Sequence, residues 1–370
     1  MSHFRQLNAI LHAACLAGFG GLMLAACTGS INVSGTGAGG NRGAGGVTNT
    51  AGSTGTAGAS GSGGRAGAGL GGGSGGDVGA GGSGGRSAGG TTGSAGTTGG
   101  AGATGSGGAA GGGAAMPSAG CGKPAALMNG VATIDVSGTA RQYTLKLPDN
   151  YDQNHPYKLI FGFHWLGGNM GAVVSGNIIG GPYYGLQSRS AGSAILVAPD
   201  GLPTTGGLSP GAQGWQNTNG QDVAFVKAML AQFESGLCID QTRIFSTGFS
   251  YGAIFSLTLG CQMSDVFRAI APESGEFFGG CNVANARPVA VWQSQGDSDT
   301  TVDPAAAKMA NDYFVTKNHC TTQTVAVSPS PCVAYQGCDP GFPVTWCEFS
   351  GGHMPWSMAP NPVWAFFNQF

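Results

Sequence analysis

Charge is scarce in this chain. Only 9% of its 370 residues are Asp, Glu, Lys or Arg, with 15 basic side chains against 17 acidic ones. No basic run long enough to track a phosphate backbone occurs, which excludes nucleic acid as a partner. The folded surface must draw its polarity from Asn, Gln, Ser, Thr and Tyr, and such a surface suits an uncharged polar polymer such as a polysaccharide. Close cysteine pairs are also missing. There is no C-x-x-C, and the spacing of Cys332 and Cys338 fits no common zinc-ligand pattern. Neither a metal nor any other cofactor is expected.

Aromatic residues are absent from Thr28 to Gly120, where only Arg42, Arg65, Asp77 and Arg86 carry charge. The rest of that stretch is almost entirely Gly, Ala, Ser and Thr, and it holds most of the 73 glycines of the chain. It cannot bury enough apolar area to offset its chain entropy, so a flexible tether is expected. A coil of roughly 90 such residues reaches about 50–60 Å. Ahead of it, His3 and Arg5 precede an apolar run from Ala9 to Ala26 that ends in Leu24-Ala25-Ala26-Cys27. This resembles the lipobox of bacterial lipoproteins and implies an export signal over 1–26, removed from a chain whose Cys27 becomes lipidated. The expectation is an extracellular or cell-envelope protein that touches the membrane through its N-terminal lipid only, with a single monomeric domain over 121–370. Its eight cysteines (121, 238, 261, 281, 320, 332, 338 and 347) read as disulfides in an exported domain. About 105 pairings of eight cysteines are possible, and the sequence selects none.

Within the domain, Val131–Val136 and Arg141–Leu147 alternate in strand fashion across Ser137-Gly138, predicting an antiparallel hairpin. Tyr157–Phe163 and Ser193–Ala198 are short apolar runs of the buried-strand type. Asp222–Phe233 carries apolar residues at helical spacing. A strand at Arg243–Thr247, a helix at Tyr251–Cys261, strands at Phe267–Ala271 and Pro288–Gln293, a helix at Asp303–Lys317 with Pro304 first, and a terminal helix at Pro362–Phe370 complete the series. Strands alternating with helices after an opening hairpin predict a mostly parallel sheet covered on both faces.

Gly248-Phe249-Ser250-Tyr251-Gly252 falls where a strand gives way to a helix, the context a G-x-S-x-G nucleophile elbow requires. The turn is too tight for side chains at the glycine positions, and the serine hydroxyl projects from its apex. Serine needs a base to take its proton. Among His155, His164, His319 and His353, the last fits the chain order Ser, acid, His, because it follows Gly351-Gly352 near the C-terminal helix. The acid belongs between them, past the strand at 288–293. Asp299 occupies it in Gly296-x-x-Asp299-x-x-Val302, with Asp297 as rival and Asp303 better read as a helix cap. One oxyanion amide is expected from Tyr251, the other from Trp165 or Leu166 in the glycine-rich run after the strand at 157–163. His164, Tyr183 and Trp215, with Trp165, Tyr184 and Trp356, are candidates for the substrate cleft; core packing competes for the aromatic ones.

The domain resembles the feruloyl esterases and acetylxylan esterases of carbohydrate esterase family one, which group with polyhydroxybutyrate depolymerase-like hydrolases. The likeness rests on Gly120-Cys-Gly-Lys123, Arg141-Gln-Tyr143, His155-Pro-Tyr157, Leu159–Trp165, Tyr183-Tyr-Gly-Leu186, Val197-Ala-Pro-Asp-Gly201, Gln221-Asp222-Val223, Thr247–Gly252 and Gly351-Gly-His353. It implies an α/β-hydrolase fold and the triad Ser250, Asp299 and His353. It also implies a serine esterase acting on ester-substituted plant polysaccharide or a small aromatic ester. Feruloyl groups are the leading acyl class, with acetylated xylan or a polyester as alternatives. A non-catalytic carbohydrate-binding surface module on the same scaffold is the competing reading of another kind. Two positions depart from the pattern: Ala253 stands where a second glycine is common, and Gln295 where a histidine is common before the glycine.

Overall fold

The computed structural model describes residues 114–206, 209–278, 281 and 283–370. The leader at 1–26, the lipidation site Cys27 and the tether as far as residue 113 lie outside the described residues.

In chain order the elements are β1 (Gly130–Val136), β2 (Thr139–Lys146), β3 (Tyr157–Phe163), α1 (Met170–Ser175), α2 (Leu186–Ser190), β4 (Ala194–Pro199), the short β5 (Leu202–Pro203) and β6 (Gln213–Gly214), and α3 (Gln221–Gly236). There follow β7 (Ile239–Phe249), α4 (Tyr251–Gln262), β8 (Ala269–Glu273), β9 (Ala290–Gly296), α5 (Pro304–Lys317), β10 (Thr324–Ala326), β11 (Val333–Tyr335), β12 (Val344–Phe349) and α6 (Pro360–Asn368). Ten strands make one sheet in the order β1-β2-β4-β3-β7-β8-β9-β12-β11-β10. The six from β4 to β12 run parallel to their neighbours in that order. The hairpins at either end are antiparallel.

Side chains on successive strand residues point to opposite faces, and the core divides accordingly. Leu159, Phe161 and Phe163 of β3 join Val226, Met229 and Phe233 of α3 and Phe255 of α4 in one apolar cluster. The intervening Ile160 joins Val173 of α1, Leu186 of α2 and Phe367 of α6 in the other. β9 splits in the same way, Val291 to one side and Ala290 and Trp292 to the other. Both faces being covered, the central strands read as unbroken apolar runs rather than alternating ones. This is the layered, mostly parallel architecture expected from the sequence.

Some boundaries differ. β7 runs longer than the strand expected at Arg243–Thr247 because its start is polar: Asp240 accepts hydrogen bonds from the amides of Thr242 (3.0 Å) and Met116 (3.1 Å). Residues 116–120, expected to belong to the tether, pack against this start instead. Ser118 exchanges hydrogen bonds with Ile239 and donates its hydroxyl to Leu237 O, and Gly120 donates to Glu234 O. β10 and β11 were not signalled by any buried apolar run, since β10 is exposed throughout and β11 half-buried. The cysteines pair as Cys121–Cys238, Cys261–Cys281, Cys320–Cys338 and Cys332–Cys347. A buried ion pair, Arg141 to Asp222 at 2.8 Å, ties the opening hairpin to α3. The Arg141 guanidinium also lies 4.2 Å from the centre of the Phe225 ring.

Candidate active site

Ser250 stands between the end of β7 and the first residue of α4, with φ 55° and ψ −118°. A non-glycine residue holds such a conformation only where its surroundings over-determine it. Here they do. The Ser250 amide donates to Glu273 O on the neighbouring β8 (3.0 Å), and its carbonyl accepts from Ile254 (2.9 Å) inside α4. The flanking glycines are required by close approach: a Cβ at Gly252 would lie 2.1 Å from Phe163 O, and one at Gly248 would lie 2.5 Å from the carbonyl carbon of Gly252. The same approach brings the chain beyond β3 against the elbow.

His353 lies in the irregular segment between β12 and α6, its ring centred 4.8 Å from that of Phe249. Its Nδ1 is 2.7 Å from Asp299 Oδ2 and its Nε2 is 2.8 Å from Ser250 Oγ. A carboxylate oxygen can only accept, so Nδ1 carries the proton and Nε2 is free to accept the serine hydroxyl's hydrogen. Asp299 is buried and further held by donation to its Oδ1 from the amides of Thr301 (2.8 Å) and Val302 (2.9 Å). Gln295 Nε2 donates to Oδ2 (3.0 Å). The rival Asp297 is exposed and accepts instead from the Gly351 amide (3.2 Å) and the Ser298 hydroxyl. Asp303 caps α5 through the Ala305 amide (2.9 Å). The three residues picked from order and motif are thus assembled into one hydrogen-bonded row.

Among the described residues the amides of Tyr251, Trp165 and Leu166 have no backbone acceptor. Trp165 and Leu166 are half-buried beside the elbow, and a Cβ on Gly214 would meet both the Tyr251 ring (2.6 Å) and the Leu166 side chain (3.2 Å).

The cleft expectation needs correction at His164, Trp215 and Tyr183. All three are interior residues, 0%, 2% and 2% exposed. His164 Nε2 accepts from the Gly201 amide (2.9 Å), so its Nδ1 is the protonated nitrogen and donates to Trp165 O (2.7 Å). Burial lowers its pKa, opposed by that backbone contact and by Asp200; the neutral ring pins the loop that bears Trp165 and Leu166. Trp215 stacks on Phe255 and meets Phe163 edge-on, while its indole N–H donates to His164 O (2.8 Å). Tyr183 packs with Ile179 and Tyr184 in the cluster beneath α1 and α2. Tyr184 and Trp356 are interior as well; the Tyr184 hydroxyl donates to Phe163 O (2.6 Å) and accepts from the Phe249 amide (3.0 Å). Among the described residues Phe278 is an exposed aromatic near Ser250, its ring centre 5.6 Å from that of Tyr251. Sequence reasoning also passed over Gln295 and Glu273. The first was visible as a departure from a related pattern, the second as a lone charge closing the apolar run Ala269-Ile-Ala-Pro.

No family model matches the sequence. The probable feruloyl esterase C of Aspergillus niger is 41% identical over 261 residues, covering 68% of this chain and 90% of that protein. Feruloyl esterase D of Neurospora crassa is 41% identical over 275 residues, covering 69% and 91%. Among solved structures, the acetyl xylan esterase from Aspergillus awamori matches with a TM-score of 0.50 at 15% identity, over 65% of this chain and the whole of that one. That likeness concerns the fold, which is of the α/β-hydrolase type. With 41% identity across alignments that span 90% and 91% of these relatives, the chain belongs to the feruloyl esterases, a family of carboxylic ester hydrolases.

Proposed function

We propose that this protein is an exported serine esterase that releases hydroxycinnamic acids from plant cell-wall polysaccharide through an acyl-enzyme on Ser250. The observation that carries the catalytic part is the row Ser250 Oγ, His353 Nε2, His353 Nδ1 and Asp299 Oδ2, with gaps of 2.8 and 2.7 Å. Ser250 Oγ attacks the ester carbonyl carbon while its proton passes to His353 Nε2. Asp299 holds the imidazole in the needed tautomer and stabilises the imidazolium. The charge that develops on the carbonyl oxygen is met by the Tyr251 amide and by that of Trp165 or Leu166. Collapse breaks the bond to the sugar oxygen, which leaves with the proton from Nε2. Water then repeats the sequence on the acyl-serine, and the carboxylic acid departs from a restored Ser250.

The acyl class rests on the relatives at 41% identity, which bear the feruloyl esterase name. Export is supported by four disulfides within one domain, which suit an oxidising compartment. The Leu24–Cys27 sequence adds a lipid anchor, and the glycine-rich stretch a spacer between anchor and enzyme.

The test is a fluorophosphonate label together with parallel rates on methyl ferulate, acetylated xylan and a hydroxybutyrate polyester. Wild type should label and turn over methyl ferulate fastest, and Ser250→Ala should do neither. Equal labelling of the two proteins overturns the nucleophile, whereas a faster rate on either alternative substrate overturns only the acyl preference.

A further inference from the structure

Glu273 is an acidic residue in the interior that the ester-cleaving steps do not use. It closes β8 after Ala269-Ile-Ala-Pro and is 3% exposed. Its main chain already serves the site, because Glu273 O receives the Ser250 amide. Its side chain reaches the other catalytic segment: Oε2 accepts the amide of Trp356 at 3.1 Å. The next residue, Ser274, is fully buried with φ 52° and donates its hydroxyl to Met354 O at 3.1 Å. Ser274 is fixed in turn by donating its amide to Ser294 O of β9 (2.8 Å).

These contacts fall on residues 354 and 356, immediately after His353, in a segment that no helix or strand holds. The Trp356 ring beyond them lies parallel to those of Phe349 (5.6 Å) and Trp292 (6.2 Å), so the far side of the segment is anchored in the core. Between that anchor and β12, the Glu273–Ser274 pair grips the backbone beside the imidazole. We propose that Glu273 and Ser274 are positioning residues for His353, holding the 354–356 backbone so that Nε2 stays within reach of Ser250 Oγ. The inference rests on the reading of His353 as the base.

Glutamine supplies a discriminating variant. Burial pushes the Glu273 carboxyl up to about 8, opposed by the Trp356 amide, so near neutral pH the group is an uncharged acceptor that glutamine copies in shape. Leucine fills the space without the acceptor. A displacement of about 1 Å at a reacting group can cost on the order of 100-fold in rate.

Glu273→Leu, Glu273→Gln and Ser274→Ala are to be assayed on methyl ferulate, with His353→Ala in parallel and folding checked by circular dichroism. On that scale Glu273→Leu should lower kcat about 10–100-fold with KM within about twofold, and Glu273→Gln should recover kcat to within about threefold. Ser274→Ala, which removes one grip, should lower kcat about 3–10-fold. An unchanged kcat in a folded Glu273→Leu protein overturns the proposal, as does a loss carried by KM or a glutamine variant as impaired as the leucine one. Should Glu273→Leu fail to fold, Ser274→Ala decides, and a wild-type kcat there overturns it. Activity surviving in His353→Ala would instead remove the base reading on which the proposal stands.

Discussion

The centre of the sheet and its β10–β11 edge are held together by different means. In the centre every residue of β4, β8 and β9 is buried, and Phe161, Phe245 and Ile270 are wholly enclosed. At about 25 cal/mol per Å² of apolar surface, burial is the main source of cohesion in such strands. At the edge the strands are three residues long, and one of them is exposed throughout. Here the chain is closed covalently. Cys332–Cys347 links the approach to β11 with β12, and Cys320–Cys338 brackets both edge strands. The two regimes meet at β12, the strand that leads to His353. The proposed nucleophile and acid follow central strands, β7 and β9, whereas the proposed base depends on a strand supported from both sides.

The largest effect is expected at Asp299, whose carboxylate draws its support from the centre of the sheet. Asp299→Asn keeps the shape but reverses the tautomer it favours, and kcat on methyl ferulate should fall about 10³–10⁴-fold with little change in melting temperature. A rate within tenfold of wild type would show that the row of hydrogen bonds is not the working triad.

The edge should respond in the opposite sense. Replacing Cys332 and Cys347 together by serine opens a loop of separation 15, which should cost about 2–4 kcal/mol of stability while kcat falls only a few-fold. Denaturant unfolding beside steady-state rates measures both. A protein of unchanged stability would mean that packing, not the disulfide, secures the edge.

Buried Glu273 yields the smallest effect. Folding holds its carboxyl near 8, far above its usual range when unfolded, so between about 4.5 and 8 the folded chain binds a proton that the unfolded chain has released. Its stability contribution is therefore present at the acid end and lost as pH rises. Glu273→Gln lacks this loss, and its melting temperature should overtake that of wild type by several degrees between pH 5 and pH 8. Parallel curves for Glu273→Gln and wild type would show that the buried carboxyl keeps an ordinary affinity for its proton.

Legibility followed the range of the interactions. The hairpin, the buried strands and the helix caps are set by neighbours a few positions apart, and they stood close to where they were expected; Asp303 and Pro304 begin α5 as read. The elbow was legible because its glycines and serine fall within one short run, Gly248 to Gly252. The aromatic residues were not. Trp215 follows a two-residue strand, and Tyr183 is one of two consecutive tyrosines with positive φ, so no periodicity marked the face each would take. His164 lies next to the proposed oxyanion loop in sequence, yet it is turned inward to the Gly201 amide, a partner 37 residues away. The start of β7 was hidden because the polar run from Asp240 to Arg243 pairs with the chain before β1 rather than with solvent.

The kind of layers, the site of the sharp turn and the chemical types of three partners in their chain order can be read without the fold. Those features are written in spacing and in short motifs, where each residue's role depends on its immediate neighbours. The folded chain alone shows that His353 stands between Asp299, 54 positions away, and Ser250, that the eight cysteines of the described residues form four particular pairs, and that three expected cleft residues are core. Such contacts depend on the order in which strands join the sheet and on the register between them, and no local run of residues encodes either.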